Sequence, residues 1–130
     1  MENKRILIID DDSDFSKELS EILSAEGYLV KTINDSFTAN HHLATMSYDL
    51  ILLDYKMSVL NGIDLLKQIK TTKPQTKVIL ISGRPFLEKV LESERATELA
   101  DAVMNKPFDH VELINKIKAI FAGTHTKSEK

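Results

Sequence analysis

At 130 residues the chain is of one-domain length, and 42% hydrophobic content suffices for a core of ordinary density. A net charge of −3 without any long basic run offers no electrostatic footprint for nucleic acid, so direct DNA or RNA binding is not expected of it. The sequence has no cysteine, which excludes disulfides, thiolate catalysis and cysteine metal sites and fits a reducing cytoplasm. Met1 to Arg5 leads into an apolar run too short for a signal-peptide core or a membrane span. A soluble, cytoplasmic protein is expected.

Ile6 to Ile9 predicts a first strand, ending in Asp10-Asp11-Asp12. A helix follows, with Phe15, Leu19, Ile22 and Leu23 at helical spacing, Ser13 or Asp12 to cap it, and Gly27 where a left-handed helix end would use it. Tyr28 to Ile33 reads as a more polar strand of the kind found at a sheet edge. Asn34-Asp35-Ser36 opens a second helix whose apolar side is expected to carry Phe37, Leu43 and Met46. The continuous run Leu50 to Leu53 suits a strand buried on both faces, and it ends abruptly on Asp54, before a loop closing on Asn61-Gly62.

Gly62 to Thr72 predicts a third helix with Leu65, Leu66 and Ile69 inward, stopped by Lys73-Pro74. Val78 to Ile81 is a fourth strand ending in Ser82-Gly83. A fourth helix is expected over Phe86 to Ala100, although Glu92 to Glu98 is largely polar and would anchor it weakly. Ala102 to Asn105 is a short fifth strand, followed by Lys106-Pro107-Phe108. The final helix has Asp109 as cap, Glu112 three residues on, and a stripe of Leu113, Ile114, Ile117, Ile120 and Phe121. Residues 1–121 form the expected domain and 122–130 a polar tail or the start of a linker. Strands alternating with helices predict an α/β fold: a five-stranded parallel sheet with helices on both faces.

A parallel sheet brings its strand ends to one edge, so Asp10 and Asp11, Asp54, Ser82 and Lys106 should meet there. Carboxylates about 4 Å apart repel by roughly 1 kcal/mol per pair in water and about 4 kcal/mol at an effective dielectric of 20, so the cluster wants a cation. Mg²⁺ suits it, being a hard ion that takes carboxylates, waters and phosphate oxygens; no histidine or cysteine stands at these ends to favour zinc. With its charge screened, a carboxylate can attack phosphorus and form an acyl phosphate, while a hydroxyl and an ammonium each hold a phosphoryl oxygen.

The segments ILIIDDD, LILLD with Gly62, VILIS and MNKPF, in this order, resemble the receiver domain of two-component response regulators over about residues 4 to 121. The resemblance implies a doubly wound, flavodoxin-like or CheY-like (βα)5 fold. It makes Asp54 the phosphoacceptor, charged by a histidine kinase's phosphohistidine, a phosphotransfer protein or small phosphodonors. Asp11 would bind Mg²⁺ directly, Asp10 partly through water, and Asp54 and the Lys56 carbonyl would complete the protein ligands. Ser82 would be the switch hydroxyl, Lys106 the partner of the phosphoryl group, and Lys106-Pro107 a candidate cis peptide. Such a domain is not an enzyme for other substrates; it catalyses only its own phosphorylation and dephosphorylation. Its output would run through the face of the fourth helix, fifth strand and final helix, toward an output domain, a downstream protein or a second copy in a homodimer.

The sequence departs from that pattern at Ser58, where proline is usual, at Met104, where an aromatic switch residue is common, and at Gly83, where alanine is common. Met104 can still change rotamer and fill space. Lys56 and Arg84, two residues past Asp54 and Ser82, flank the expected phosphoryl site. Each residue also has a plainer reading: an aspartate after a strand often only caps or turns, and a lone lysine is usually solvated surface. The apolar strand ends at Ile9, so the acidic pair falls on Asp10 and Asp11 and leaves Asp12 as cap, with a shift by one as the alternative. His41-His42, His110 and His125 read as exposed helix or tail residues. Two other functions compete: a haloacid-dehalogenase-like phosphatase built on Asp10-Asp11-Asp12, and a receiver-like interaction module indifferent to phosphorylation.

Overall fold

The computed structural model describes residues 3–55, 62–83 and 99–123. Its elements in chain order are β1 (Arg5–Ile9), α1 (Ser13–Ala25), β2 (Leu29–Ile33), α2 (Ser36–Leu43), β3 (Leu50–Asp54), α3 (Gly62–Thr72), β4 (Lys77–Ser82), β5 (Ala102–Asn105) and α4 (His110–Ala122). All strands are parallel, in the order β2-β1-β3-β4-β5. This is the expected α/β sheet with helices on both faces. Of the helix expected over 86–100, only Leu99 and Ala100 fall among the described residues.

The continuous apolar runs divide by alternation between two helical layers, because successive strand side chains point to opposite faces. Ile6, Ile8, Leu50, Leu52, Ile79 and Ile81 pack with Leu19 and Leu23 of α1 and Leu113 and Ile117 of α4. Leu7, Ile9, Ile51, Leu53, Val78 and Leu80 pack with Ala39 and Leu43 of α2 and Leu65, Leu66 and Ile69 of α3. Each such side chain contributes about 1.5–3 kcal/mol by leaving water. β3, the middle strand, is buried along its whole length, whereas β2 at the edge alternates toward solvent. Asp12 caps α1 through a bond from Phe15 N at 3.0 Å, and Gly27 sits just past its end with φ +98°, a conformation that only glycine enters freely.

Helix α2 corrects one expectation. Its inward residues are Ser36, Ala39 and Leu43, spaced by three and four; Phe37 lies about 100° round from Ser36 and is 74% exposed. The helix stops at Leu43, and Met46 reaches the core from the following turn instead. A second correction concerns the histidines. His42 is half-buried rather than exposed, and its Nε2 lies 2.6 Å from the hydroxyl of Tyr48, in the connection that leads into β3. His110 is likewise half-buried, and His125 lies outside the described residues.

Burial, with repulsion from Lys31 and Arg5, lowers the His42 pKa below its usual 6.5. The unfolded chain therefore takes up a proton at higher pH than the folded one. His42 contributes stability that is whole above about pH 6.5 and is lost as pH falls through the folded pKa. Urea midpoints compared at pH 7.5 and pH 5.5 should fall less in His42→Gln than in the parent. An NMR titration midpoint for His42 at or above 6.5 would contradict this.

The sheet's other end is tied by Asp101. Its Oδ2 accepts from Lys70 Nζ at 2.8 Å and from Val78 N at 2.8 Å, while Asp101 N donates to Val78 O at 2.8 Å, joining α3 to the entries of β4 and β5. Both members of the ion pair are mostly shielded, with side chains 15% and 16% exposed. Asp101→Ala strands the Val78 amide and half-strands the ammonium, and should cost about 1–3 kcal/mol in urea unfolding. A loss below measurement error would mean that water replaces the carboxylate.

Candidate functional site

The strand order reverses between β1 and β3: from β1 the chain goes to β2 on one side and returns to β3 on the other. In open parallel sheets, the edge at the carboxyl ends of the two strands flanking such a reversal is where ligands bind. Register decides what lines it. Ile9 pairs with Leu53, so Asp10, one residue on, comes beside Asp54. Asp54 pairs with Ile81 and Ser82 with Asn105, so Ser82 and Lys106 follow on the next strands.

Carboxylate oxygens of Asp10, Asp11 and Asp54 lie within 4.8 Å of one another. Asp10 and Asp54 are buried, 2% and 6% exposed, and Asp11 faces solvent. Two buried acids and one open one make a donor set of hard oxygens with an approach from water, which fits a magnesium-sized ion that keeps part of its hydration shell. The grouping falls on Asp10 and Asp11 rather than on Asp11 and Asp12. Asp12 is turned away as the cap of α1, so the Asp-x-Asp pair of the phosphatase alternative does not share one site.

Lys106 supplies a cation of the chain's own. Its Nζ lies 3.0 Å from Asp10 Oδ2, and the pair is formed by a side chain 26% exposed and one 2% exposed. Their gross attraction is about 5 kcal/mol at an effective dielectric of 20, offset in part by desolvation of Asp10. That is of the same order as the repulsion between neighbouring ionised carboxylates, so the ammonium balances one acid of the cluster. Asp10 is held further by bonds that the sequence reading did not anticipate. Its Oδ1 accepts from Asp12 N at 2.9 Å, and its carbonyl accepts from Asn34 Nδ2 at 2.8 Å and from Ser16 Oγ at 3.4 Å. Asn34 directly follows β2 and so stands on the same sheet edge, a placement that was open to inference from the strand assignment alone.

Ser82 is fully buried, and its carbonyl accepts from Lys106 N at 2.6 Å, which ties the ends of β4 and β5. The Lys106-Pro107 peptide is cis. Met104 is already inside, packed in the layer of α1 and α4 and 4% exposed. Lys56, Ser58 and Arg84 lie outside the described residues. Lys106 therefore meets Asp10 in this state, Asp10, Asp11 and Asp54 converge, and Ser82 lies one strand over.

Residues 6–118 match the family model described as the response regulator receiver domain. The chain belongs to the response regulator receiver domain family. It is the signalling receiver of a two-component response regulator. Among curated relatives, the transcriptional regulatory protein CpxR of Klebsiella pneumoniae is 38% identical over 129 residues, covering 97% of this receiver and 53% of that protein. The receiver thus spans about half the length of the curated relatives it matches. Among solved structures, a CheY-like receiver domain protein from Methanospirillum hungatei superposes with TM-score 0.86 at 29% identity, covering 95% of this chain and 97% of that one. The response regulator TrrA from Thermotoga maritima, in complex with Mg²⁺-BeF, superposes with TM-score 0.80 at 30% identity, covering 90% and 98%. No helix among the described residues is long and apolar enough to cross a membrane.

Proposed function

We propose that Asp54 is the phosphoacceptor of this receiver and that the receiver catalyses its own phosphorylation and dephosphorylation. The observation that carries this reading is the convergence of Asp10, Asp11 and Asp54 oxygens within 4.8 Å, with the Lys106 ammonium 3.0 Å from Asp10. An Asp54 carboxylate oxygen attacks phosphorus, the P–N bond of a kinase or phosphotransfer-protein phosphohistidine breaks, and the imidazole leaves with the electron pair. A sensor histidine kinase or a phosphotransfer protein is the donor partner.

Asp10, Asp11, Asp54 and the Lys56 carbonyl would hold Mg²⁺, which when bound neutralises charge on the acids and on the phosphoryl oxygens. The chain's own contribution is geometric. Buried β3 fixes Asp54; the Asn34 and Ser16 bonds fix the Asp10 backbone; Lys106, leaving Asp10, reaches a phosphoryl oxygen, and the Ser82 hydroxyl takes another. Ser82 and Met104 then relay the change toward β5 and α4, the described part of the face where an output partner or second copy would bind. The relatives' description as transcriptional regulators supports transcription as the process governed, with residues 1–121 as the receiver and 122–130 as a polar tail or the start of a linker. The compartment that suits a kinase-fed, cysteine-free receiver is the cytoplasm.

The test uses acetyl phosphate with and without Mg²⁺. We expect one acid-stable, base-labile phosphoryl group per chain, seen by intact mass, only when Mg²⁺ is present. Beryllofluoride with Mg²⁺ should shift the amide resonances around Asp54, Ser82 and Met104. Equal phosphorylation in EDTA would overturn the metal assignment, and no phosphorylation from any donor would overturn the reading.

A further inference from the structure

The sequence assigned Phe15 to the apolar face of α1, yet its ring is engaged at the acidic edge. The Lys106 ammonium lies 4.1 Å from the Phe15 ring centroid while it is 3.0 Å from Asp10 Oδ2. Phe108, two residues beyond Lys106, packs edge-on against the same ring, with centroids 6.0 Å apart and planes at 81°. One side chain of α1 therefore grips both ends of the Lys106-Pro107-Phe108 segment. Phe15 and Phe108 are both half-buried in the layer that holds α1 and α4, so the ring is anchored by packing and still presents a face to the pocket.

We infer that Phe15 is the positioning residue for Lys106. A lysine head swings on a long flexible stem, and a carboxylate on one side leaves it free to pivot outward to water. The electron-rich ring face closes that route by attracting the ammonium from a second direction. The edge-on contact with Phe108 keeps the backbone under the lysine in register with α1. Lys106 is thus retained over the pocket in the resting state, ready to exchange Asp10 for a phosphoryl oxygen. A leucine would fill much of the same apolar volume but has no such face. The role rests on the proposed phosphoacceptor chemistry, and it deepens it by naming what keeps the ammonium at hand.

The test separates the hold on Lys106 from the chemistry. In the metal-free wild-type chain, the Lys106 ε-methylene resonance, assigned by its loss in Lys106→Gln, should lie upfield through the Phe15 ring current. Phe15→Leu should return it to the position of a solvated lysine, and Phe15→Tyr should keep it upfield. With acetyl phosphate and Mg²⁺, where Asp54 oxygen bonds to phosphorus and acetate departs, Phe15→Leu should slow phosphorylation by about three- to tenfold, with Phe15→Tyr near wild type. In a Lys106→Gln background the same Phe15→Leu change should cost little more, since the ring acts through the lysine. A Lys106 ε resonance unshifted in the wild type, a Phe15→Leu rate equal to wild type, or fully additive losses in the double variant would each overturn the inference. If Phe15→Leu does not fold, the wild-type and Phe15→Tyr shifts alone decide whether the ring holds the lysine. A wild-type chain that takes no phosphoryl group overturns the phosphoacceptor reading instead, and the ε shift is still read without it.

Discussion

Asp54→Asn should abolish phosphorylation: with Mg²⁺ and acetyl phosphate or a phosphorylated kinase, the variant gains no phosphoryl mass and its amide spectrum does not respond to beryllofluoride. The substitution keeps the size of the side chain but replaces an anionic oxygen nucleophile by a neutral amide and withdraws one charge from the acidic group. Loss of a nucleophile in a preorganised site costs roughly a thousandfold or more in rate, so the residual signal should fall below detection. The fold should persist, because the acidic oxygens lie within 4.8 Å of one another and neutralising one relieves repulsion. Circular dichroism establishes that control. A folded Asp54→Asn chain that still took up one phosphoryl group would move the acceptor to another acid, and one that bound its partners like phosphorylated wild type would favour a module indifferent to phosphorylation.

Leu52→Ala should lower stability by about 3–5 kcal/mol, the range for a leucine cut from a packed core. Leu52 is 0% exposed and lies on the middle strand, in the layer shared by α1 and α4. Packed parallel strands relax little around a void, so most of the cavity term should be felt. Against a total of roughly 5–15 kcal/mol for a domain, such a loss brings the chain close to its unfolding threshold. The urea midpoint measures it, with the slope unchanged if only stability is altered. Because Leu52 is two residues before Asp54 on the same strand, phosphorylation at 37 °C should fall with the folded fraction and recover on cooling. A cost under about 1 kcal/mol would mean that α1 and α4 close over the gap.

The two tests address separate levels of the molecule. Asp54 probes chemistry on a fold that survives; Leu52 probes the fold that presents the chemistry. Phe15 lies between them, since it belongs to the core layer by packing and to the acidic edge by its contact with Lys106.

Much of this was legible in the chain itself. The runs at Ile6 to Ile9, Leu50 to Leu53 and Val78 to Ile81 are apolar at every position, a pattern stable only where both sheet faces are covered, and all three lie inside the sheet. Strand ends follow from where those runs stop, so the meeting of Asp10, Asp11 and Asp54 on one edge needed no more than parallel pairing. Phe37 shows the limit of periodicity: in an eight-residue helix a shift of one position turns a side chain by about 100°, and the reading put a solvent-facing ring in the core. His42 shows another, since its partner Tyr48 lies beyond the end of the helix, in the connection to β3, and no helical pattern pairs them.

Local patterns of apolarity, capping and turn chemistry act over a few residues, and so the sequence by itself determined the five strands and the helices among the described residues, the parallel α/β sheet and the acids at its edge. The partner of Lys106 was decided only by tertiary structure. Its ammonium reaches Asp10 across 96 positions of chain and Phe15 across nearly as many, contacts set by strand register and by the way α1 packs on the sheet. Side-chain choice at such distances depends on which charges and ring faces the whole fold brings within a few ångströms, and that sum is taken only once the chain has closed.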